Sequence, residues 1–435
     1  MKADKQNIRR HWNVLCERIG QRYAGTPGEQ EAADYIESHF KRLGLDPVTQ
    51  HRFEFPNWSY SKCTVHAGRD RKPIKSARPL CYSRPTPPRG LSGALVYLES
   101  PHDYERDLRG KIGLLIGSLF LGDAAFRQKL MKTGLKGLLS VDSRVPHEWT
   151  ISQGAAPQWM EDFTIPVVGI SYMDGFELVK RMPLKIAARI DAETFPSESQ
   201  NVIGEVRGSM NPEQVIVVSA HHDAVWGITG GDDNASGVIF LMELARLFAG
   251  TRPRRTLRFV SYGVEERLSV GSYLYMRSLD RSEREKIVLA VNADTIASPV
   301  GTDSVYISGD SRLARRVRSF WSERKHHLEI NRTLSPYSDH FPLNICGIPS
   351  LWLTRPSVAH GGYWTLHSTH DNVSNVSSAV MARMIDTSAA FLKEIGNAPR
   401  LPFARRLGND IMRDVRRIAR REFSHPWNPK TYRYP

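Results

Sequence analysis

Residues 215–248, VIVVSAHHDAVWGITGGDDNASGVIFLMELARLF, restrict what this chain can fold into more than any other stretch. The run Val215, Ile216, Val217, Val218 is unbroken and apolar. It suits a strand buried on both faces of a parallel sheet. It ends in Ala220-His221-His222-Asp223, passes a glycine-rich loop and reaches Asp232-Asp233-Asn234-Ala235-Ser236-Gly237. Val238, Leu241, Met242, Ala245 and Phe248 then follow at helical spacings of three and four. Imidazoles and carboxylates therefore sit where a strand ends and a helix begins. In open α/β sheets that edge is where ligands bind. A His and an Asp bracketing one loop can converge on a metal.

The rest of the chain extends this pattern. Strands are expected at 215–219, 256–261, 287–293, 304–308 and 350–354. Helices are expected at about 26–43, 235–249, 271–279, 311–327 and 377–395. Thr26, Pro27 and Glu29 supply start signals for the first of these helices. Leu45 to Phe55 reads as an edge strand. The expected fold class is α/β, a three-layer, mostly parallel sheet with helices on both faces.

At 435 residues the chain exceeds one ordinary core. A Pro-, Arg- and Ser-rich stretch, 72–90, reads as a linker. Beyond it, RGKIGLL, the helix before GLKGLLSV, and IPVVGISYMDGFEL occur in the order of the protease-associated domain, a β-rich insertion that residues 76–192 resemble. The division expected is 1–71 with 196–400 as a discontinuous main domain, 76–192 as the insertion and 401–435 as a basic C-terminal extension.

The net charge of +14 is concentrated partly in RRLGNDIMRDVRRIARRE (405–422), read as a solvated basic helix. No nucleic-acid motif accompanies it, so no nucleic-acid partner is expected. Cys16, Cys63, Cys81 and Cys346 lack the spacing of a disulfide framework or a thiolate zinc site. No apolar run is long enough to span a membrane. MKADKQNIRRHWNVLCERIG has no apolar signal core, so a cytoplasmic location is expected.

Three more polar clusters follow strands: Glu265-Glu266, Asn292-Ala293-Asp294, and Leu366-His367 with Asp371 four residues on. Mixed imidazole and carboxylate donors suit zinc, with manganese or cobalt as substitutes. The order H-x-D, D-N-x-S-G, E-E, N-x-D and a final His resembles the di-zinc exopeptidase family of bacterial aminopeptidases, glutamate carboxypeptidases and transferrin receptors. The resemblance runs from RYAGTPGEQEAADYI to about residue 395. It implies two zinc ions, with His221 and Asp294 on the first, Glu266 and His367 on the second, and Asp233 bridging both. It implies Asp223 as the carboxylate orienting His221 and Glu265 as the general base. The activity implied is that of an exopeptidase on peptide substrates, foremost an aminopeptidase. A carboxypeptidase or dipeptidase on the same centre is the alternative, or a receptor-like binding protein, and a homodimer is left open. A glutaminyl cyclase would share the fold, but the intact DNASG and Glu-Glu blocks weigh against it.

Several neighbours have plainer readings. His222 could replace His221, though the A-H-x-D frame favours His221. Asp232, His370 and the His326-His327 pair read as solvated. Ser338-Asp339-His340 reads equally as pocket or loop cap, and Asp371 as a support to the site or a turn cap. The chain also departs from the family pattern. Leu366 stands where a Tyr often supports the oxyanion, with Tyr363 and Trp364 nearby. Arg267 and Leu268 follow the Glu pair, and Leu268 occupies a position that is usually glycine.

Overall fold

The computed structural model describes residues 2–116, 124–143, 147–151, 156, 163–358 and 362–423. The chain forms two compact units, one built from Met1–Phe55 and Glu198–Ala419, the other from Pro56–Ser197.

The first unit is an α/β fold around a mixed, mostly parallel sheet. Its central strand, Asn211–His221, lies parallel to Arg255–Tyr262 on one side and to Ile287–Ala293 on the other. Ser350–Thr354 extends the sheet in parallel beyond Ile287–Ala293. Ser304–Ser308 then pairs antiparallel, and Glu329–Asn331 closes that edge. At the other edge, residues 202–206 of the strand Lys185–Val206 pair antiparallel with Arg255–Tyr262.

Strand alternation assigns the two faces. Ile216 and Val218 enter one core with Leu257, Phe259 and the helices Pro27–Arg42, Ala235–Phe248, Ser311–Glu323 and Ser378–Asn397. Val215 and Val217 enter the opposite core with Val260, Tyr262, Met276 and Leu343. The expected three layers are therefore present in this unit. The apolar run from 215 to 218 is explained by burial on both faces, each side chain contributing about 1.5–3 kcal/mol.

The elements beyond the expected set include one at the N-terminus. Helix Lys5–Trp12 continues as a wider helical turn, Asn13–Ile19. Asp4 caps it by accepting from the N–H groups of Gln6 and Asn7, and Ile8, Trp12, Leu15 and Cys16 are buried. The spacing of those four residues is the helical signal that went unread.

In the second unit Leu91–Tyr97, Ile112–Ile116, Gly137–Val141 and Val167–Gly169 lie side by side and parallel. Helices Ala124–Lys132 and Tyr172–Lys180 connect or follow them. A separate core gathers Leu95, Ile112, Leu114, Leu139, Val141, Val168 and Leu178. The 72–90 stretch is more than a linker: Lys72–Pro73 pairs antiparallel with residues 66–67, and Arg78–Pro79 with Val167–Gly169. Proline is tolerated in both short strands because each pairs on one side only, at an edge of the sheet. The strand expected to end at Phe55 runs Val48–Ala67.

Among the described residues no helix is long and apolar enough to cross a membrane. The basic helix Asn409–Glu422 buries Val415 and Ala419 and exposes Arg413, Arg416, Arg417 and Arg420, while residues 424–435 of the expected extension lie outside the described residues.

Candidate metal centre

The parallel strands bring their carboxyl ends to one edge of the first unit. His221 is the last residue of its strand, Glu265-Glu266 follow Arg255–Tyr262 and Asp294 follows Ile287–Ala293. His367 lies in the segment after Ser350–Thr354. Residues separated by more than a hundred positions thus meet because one sheet edge collects every strand end.

Two groups of donors result. His221, Asp233 and Asp294 form one, and Asp233, Glu266 and His367 form the other. Asp233 belongs to both. His221 Nε2 lies 3.2 Å from Asp233 Oδ1 and 3.7 Å from Asp294 Oδ1. His367 Nε2 lies 3.2 Å from Asp233 Oδ2 and 3.1 Å from Glu266 Oε2. The two oxygens of one carboxylate therefore face different imidazoles. Glu265 is in neither group, with its Oε2 3.8 Å from His221 Nε2.

These residues fit a pair of metal ions. Ligand atoms at tetrahedral zinc distances are separated from one another by about 3.4 Å, the spacing found here. His221 Nε2 and Glu266 Oε1 are buried and make no hydrogen bond. Such orphaned atoms are costly unless something occupies the space between them. Charge supports the same conclusion. Burial alone would push His221 down, but Glu265, Asp223, Asp233 and Asp294 hold it well above the ordinary imidazole range. Burial raises Glu265 well above the usual carboxylate range, and Asp339, Asp294 and Glu266 add to it against the opposing His221. Carboxylates crowded in this way call for positive charge, which divalent cations would supply.

The surrounding motif residues act as a frame. Asp223 accepts from the backbone N–H groups of Glu265 (2.9 Å) and Glu266 (3.2 Å), and its Oδ1 is 3.4 Å from His221 Nδ1. Asn234 caps the helix Ala235–Phe248 by accepting from Gly237 N–H, and its amide donates to the Ala293 carbonyl. Gly237 cannot carry a side chain, because a Cβ would stand 2.3 Å from that same carbonyl oxygen. Ser338 Oγ donates to Asp294 Oδ2 (2.5 Å) and accepts from Asn292 Nδ2 (2.8 Å). Asp371 accepts from the N–H groups of Asp232 and Asp233, so it supports the site through the backbone.

The structure separates the alternatives left by the sequence. His221 joins the donor group; His222 turns away, with Nδ1 on Ser261 Oγ, and burial lowers it to about 4. Asp232 is not a solvated loop acid. It is 2 % exposed, accepts from Ala297 N–H, and burial with Asp233 nearby pushes it up to about 7. His326 is likewise buried, held between Thr387 Oγ1 and Asp303 Oδ2; His327 is exposed and His370 half-buried. Asp339 accepts from Ser272 Oγ, and His340 stacks on Trp352. Tyr363 hydrogen-bonds Thr354 Oγ1, and Leu366 is half-buried.

Backbone strain concentrates at the same place. Of the eight non-glycine residues with positive φ among those described, five are Val264, Leu268, Ser269, Thr295 and His367. Leu268, at φ 67°, adopts the conformation that the family's usual glycine would take freely. Clustered strain of this kind marks functional sites.

A carboxylate–imidazole centre of two overlapping donor groups, at the carboxyl edge of a mostly parallel sheet, defines a metallohydrolase scaffold. Residues 201–392, which contain every residue of the site, match the model of Peptidase family M28. Over that segment the chain is similar to the M28 peptidases. It is 28% identical over 405 residues to Aminopeptidase YwaD of Bacillus subtilis, covering 87% of this chain and 82% of that one. It is 29% identical over 360 residues to the probable lipoprotein aminopeptidase LpqL of Mycobacterium tuberculosis, covering 76% and 69%. In fold it is similar to BSAP, a zinc aminopeptidase from Bacillus subtilis, with a TM-score of 0.76 and 23% identity over 94% of this chain and 98% of that one.

Proposed function

We propose that this chain is a zinc-dependent aminopeptidase that hydrolyses the N-terminal peptide bond of its substrates. The observation that carries the proposal is Asp233, one carboxylate shared by two complete donor groups. The M28 match and the two aminopeptidase relatives support the same reading. His221, Asp233 and Asp294 would hold one zinc, and Asp233, Glu266 and His367 the other; manganese or cobalt could serve. Bound there, the ions would polarise the scissile carbonyl and acidify water.

Glu265 performs the proton transfer. Its Oε1 accepts from Ser269 Oγ, which leaves Oε2 turned toward the donor groups. From there it takes a proton from the attacking water and returns it to the leaving amine. Asp223 keeps both ends of this machinery in register, since it binds the Glu265-Glu266 backbone and faces the His221 ring. Residues 76–192, which form part of a unit with its own core, are read as a protease-associated domain.

The test is hydrolysis of aminoacyl and N-blocked peptides with added zinc, by wild type and Glu265→Gln. Cleavage of free-amine substrates alone is expected, with a loss of about 10²–10⁴-fold in kcat for Glu265→Gln while zinc stays bound. Release of C-terminal residues from blocked peptides would move the assignment to a carboxypeptidase. Absence of any turnover would overturn it.

A further inference from the structure

The loop between His221 and Asp233 is held from outside the family's five motif blocks. Arg22 is fully buried, and among the described residues its hydrogen-bond partners are backbone carbonyls and the Cys16 sulfur, with no carboxylate. Instead it donates to backbone carbonyls at both ends of that loop. Its Nε donates to His222 O (2.8 Å), Nη1 to Thr229 O (2.6 Å) and Nη2 to Gly230 O (3.0 Å). Trp12, on the helix Lys5–Trp12, donates its indole N–H to the next carbonyl, Gly231 O (2.9 Å). Three successive carbonyls, 229, 230 and 231, are therefore captured just before Asp232-Asp233. The turn passes so close to the shared carboxylate's backbone that Gly230 admits no side chain, since a Cβ there would stand 2.2 Å from Asp233 O. On the opposite side Asp371 takes the N–H groups of Asp232 and Asp233.

We propose that Arg22 and Trp12 form a carbonyl clamp that fixes the separation between His221 and Asp233 and thereby sets metal affinity. They are positioning residues; neither touches substrate or metal. A guanidinium suits the task because its planar fork reaches carbonyls in fixed directions, which an ammonium on a flexible stem does not. A buried carbonyl deprived of its donor seeks another, and the turn carrying the shared carboxylate moves with it. The proposal rests on the two-metal reading of the site but not on the identity of the substrate.

The experiment is zinc titration of the full chain against a chromophoric chelator, paired with the visible absorption of the cobalt-loaded protein. Trp12→Phe removes the indole N–H and keeps a smaller aromatic ring in the buried position, so its loss of volume is matched by a control with the same substitution; Arg22→Lys keeps the charge and loses the fork. Trp58→Phe is the matched control, since Trp58 Nε1 donates to Ser83 O (3.1 Å) within the second unit. Weaker zinc binding is expected, about tenfold for Trp12→Phe and up to about a hundredfold for Arg22→Lys, as for other outer supports of metal ligands. Altered cobalt bands should accompany it, with Trp58→Phe titrating as wild type. Equal zinc affinity and unchanged cobalt spectra in folded Trp12→Phe would overturn the clamp. An equal loss in Trp58→Phe would also overturn it, by showing a general effect of destabilisation. Wild type that binds zinc without cleaving peptides would overturn the peptidase reading alone. Wild type that takes up no zinc would overturn both.

Discussion

Asp223→Asn is the most informative single change at the centre. The carboxylate accepts two backbone N–H groups, from Glu265 and Glu266, and faces the His221 ring at Nδ1. Burial would raise its pKa, but His221 and the Glu265 N–H outweigh burial and keep it below the usual range, so it serves as an anion. An amide has one accepting oxygen. One of the two N–H groups must then face an NH₂, and a buried donor left unsatisfied costs about 1–3 kcal/mol. The same residue orients a candidate ligand, and removal of such a support typically costs about 10–100-fold in metal affinity. A hundredfold corresponds to about 2.7 kcal/mol, within the range of the single lost hydrogen bond. The two estimates agree because one carboxylate holds both the ring and the turn. Chelator competition should therefore show Asp223→Asn binding zinc about 10–100-fold more weakly, with kcat reduced even at saturating zinc because Glu265 is displaced. Zinc affinity within twofold of wild type and an unchanged kcat would refute the reasoning.

Other outcomes follow from the same structure. Ser338→Ala deletes the donor to Asp294 Oδ2 and should weaken zinc binding about tenfold, measured by the same titration. Metal removal by a chelator should lower the thermal midpoint, and added zinc at a thousand times its Kd should restore about 4 kcal/mol; an unchanged melting curve would contradict a folded-state metal centre. His11 and His39 are buried neutral, lowered by burial to about 3 and about 4. The unfolded chain protonates them near 6.5, so it binds more protons than the folded chain between that pH and about 3–4. Stability should therefore fall as pH drops through this window, by up to about 1.4 kcal/mol per pH unit for each group. Thermal melts at pH 7 and pH 5 should show a smaller difference in His11→Phe than in wild type.

How much could be read in advance depended on how local each signal was. The strands 287–293, 304–308 and 350–354 appear with their expected ends, because their apolar runs are bounded by turn residues within the same few positions. The residues expected to meet at the site do converge: His221, Asp233, Glu265, Glu266, Asp294 and His367 each follow a strand or open a helix. A parallel sheet leaves such positions little choice but one edge. The polar readings that failed were of residues whose surroundings come from elsewhere in the chain. Asp232 sits in a glycine-rich loop that looks solvated, yet Ala297 N–H, 65 positions away, covers it. His326 is paired with a loop 23 positions earlier and a helix 61 positions later.

The sequence by itself determined the mostly parallel sheet, its carboxyl edge and the candidate donors, because strand periodicity and motif order are written in short windows. The structure turns His221 rather than His222 inward, as the A-H-x-D frame favours, and tertiary structure alone decided which distant groups hold the loop between His221 and Asp233. Trp12 and Gly231 are 219 positions apart. Only packing of the helix Lys5–Trp12 against Ala235–Phe248 and Ser378–Asn397 brings that indole to that carbonyl, and no local pattern encodes a contact whose two halves acquire meaning only when the core has formed.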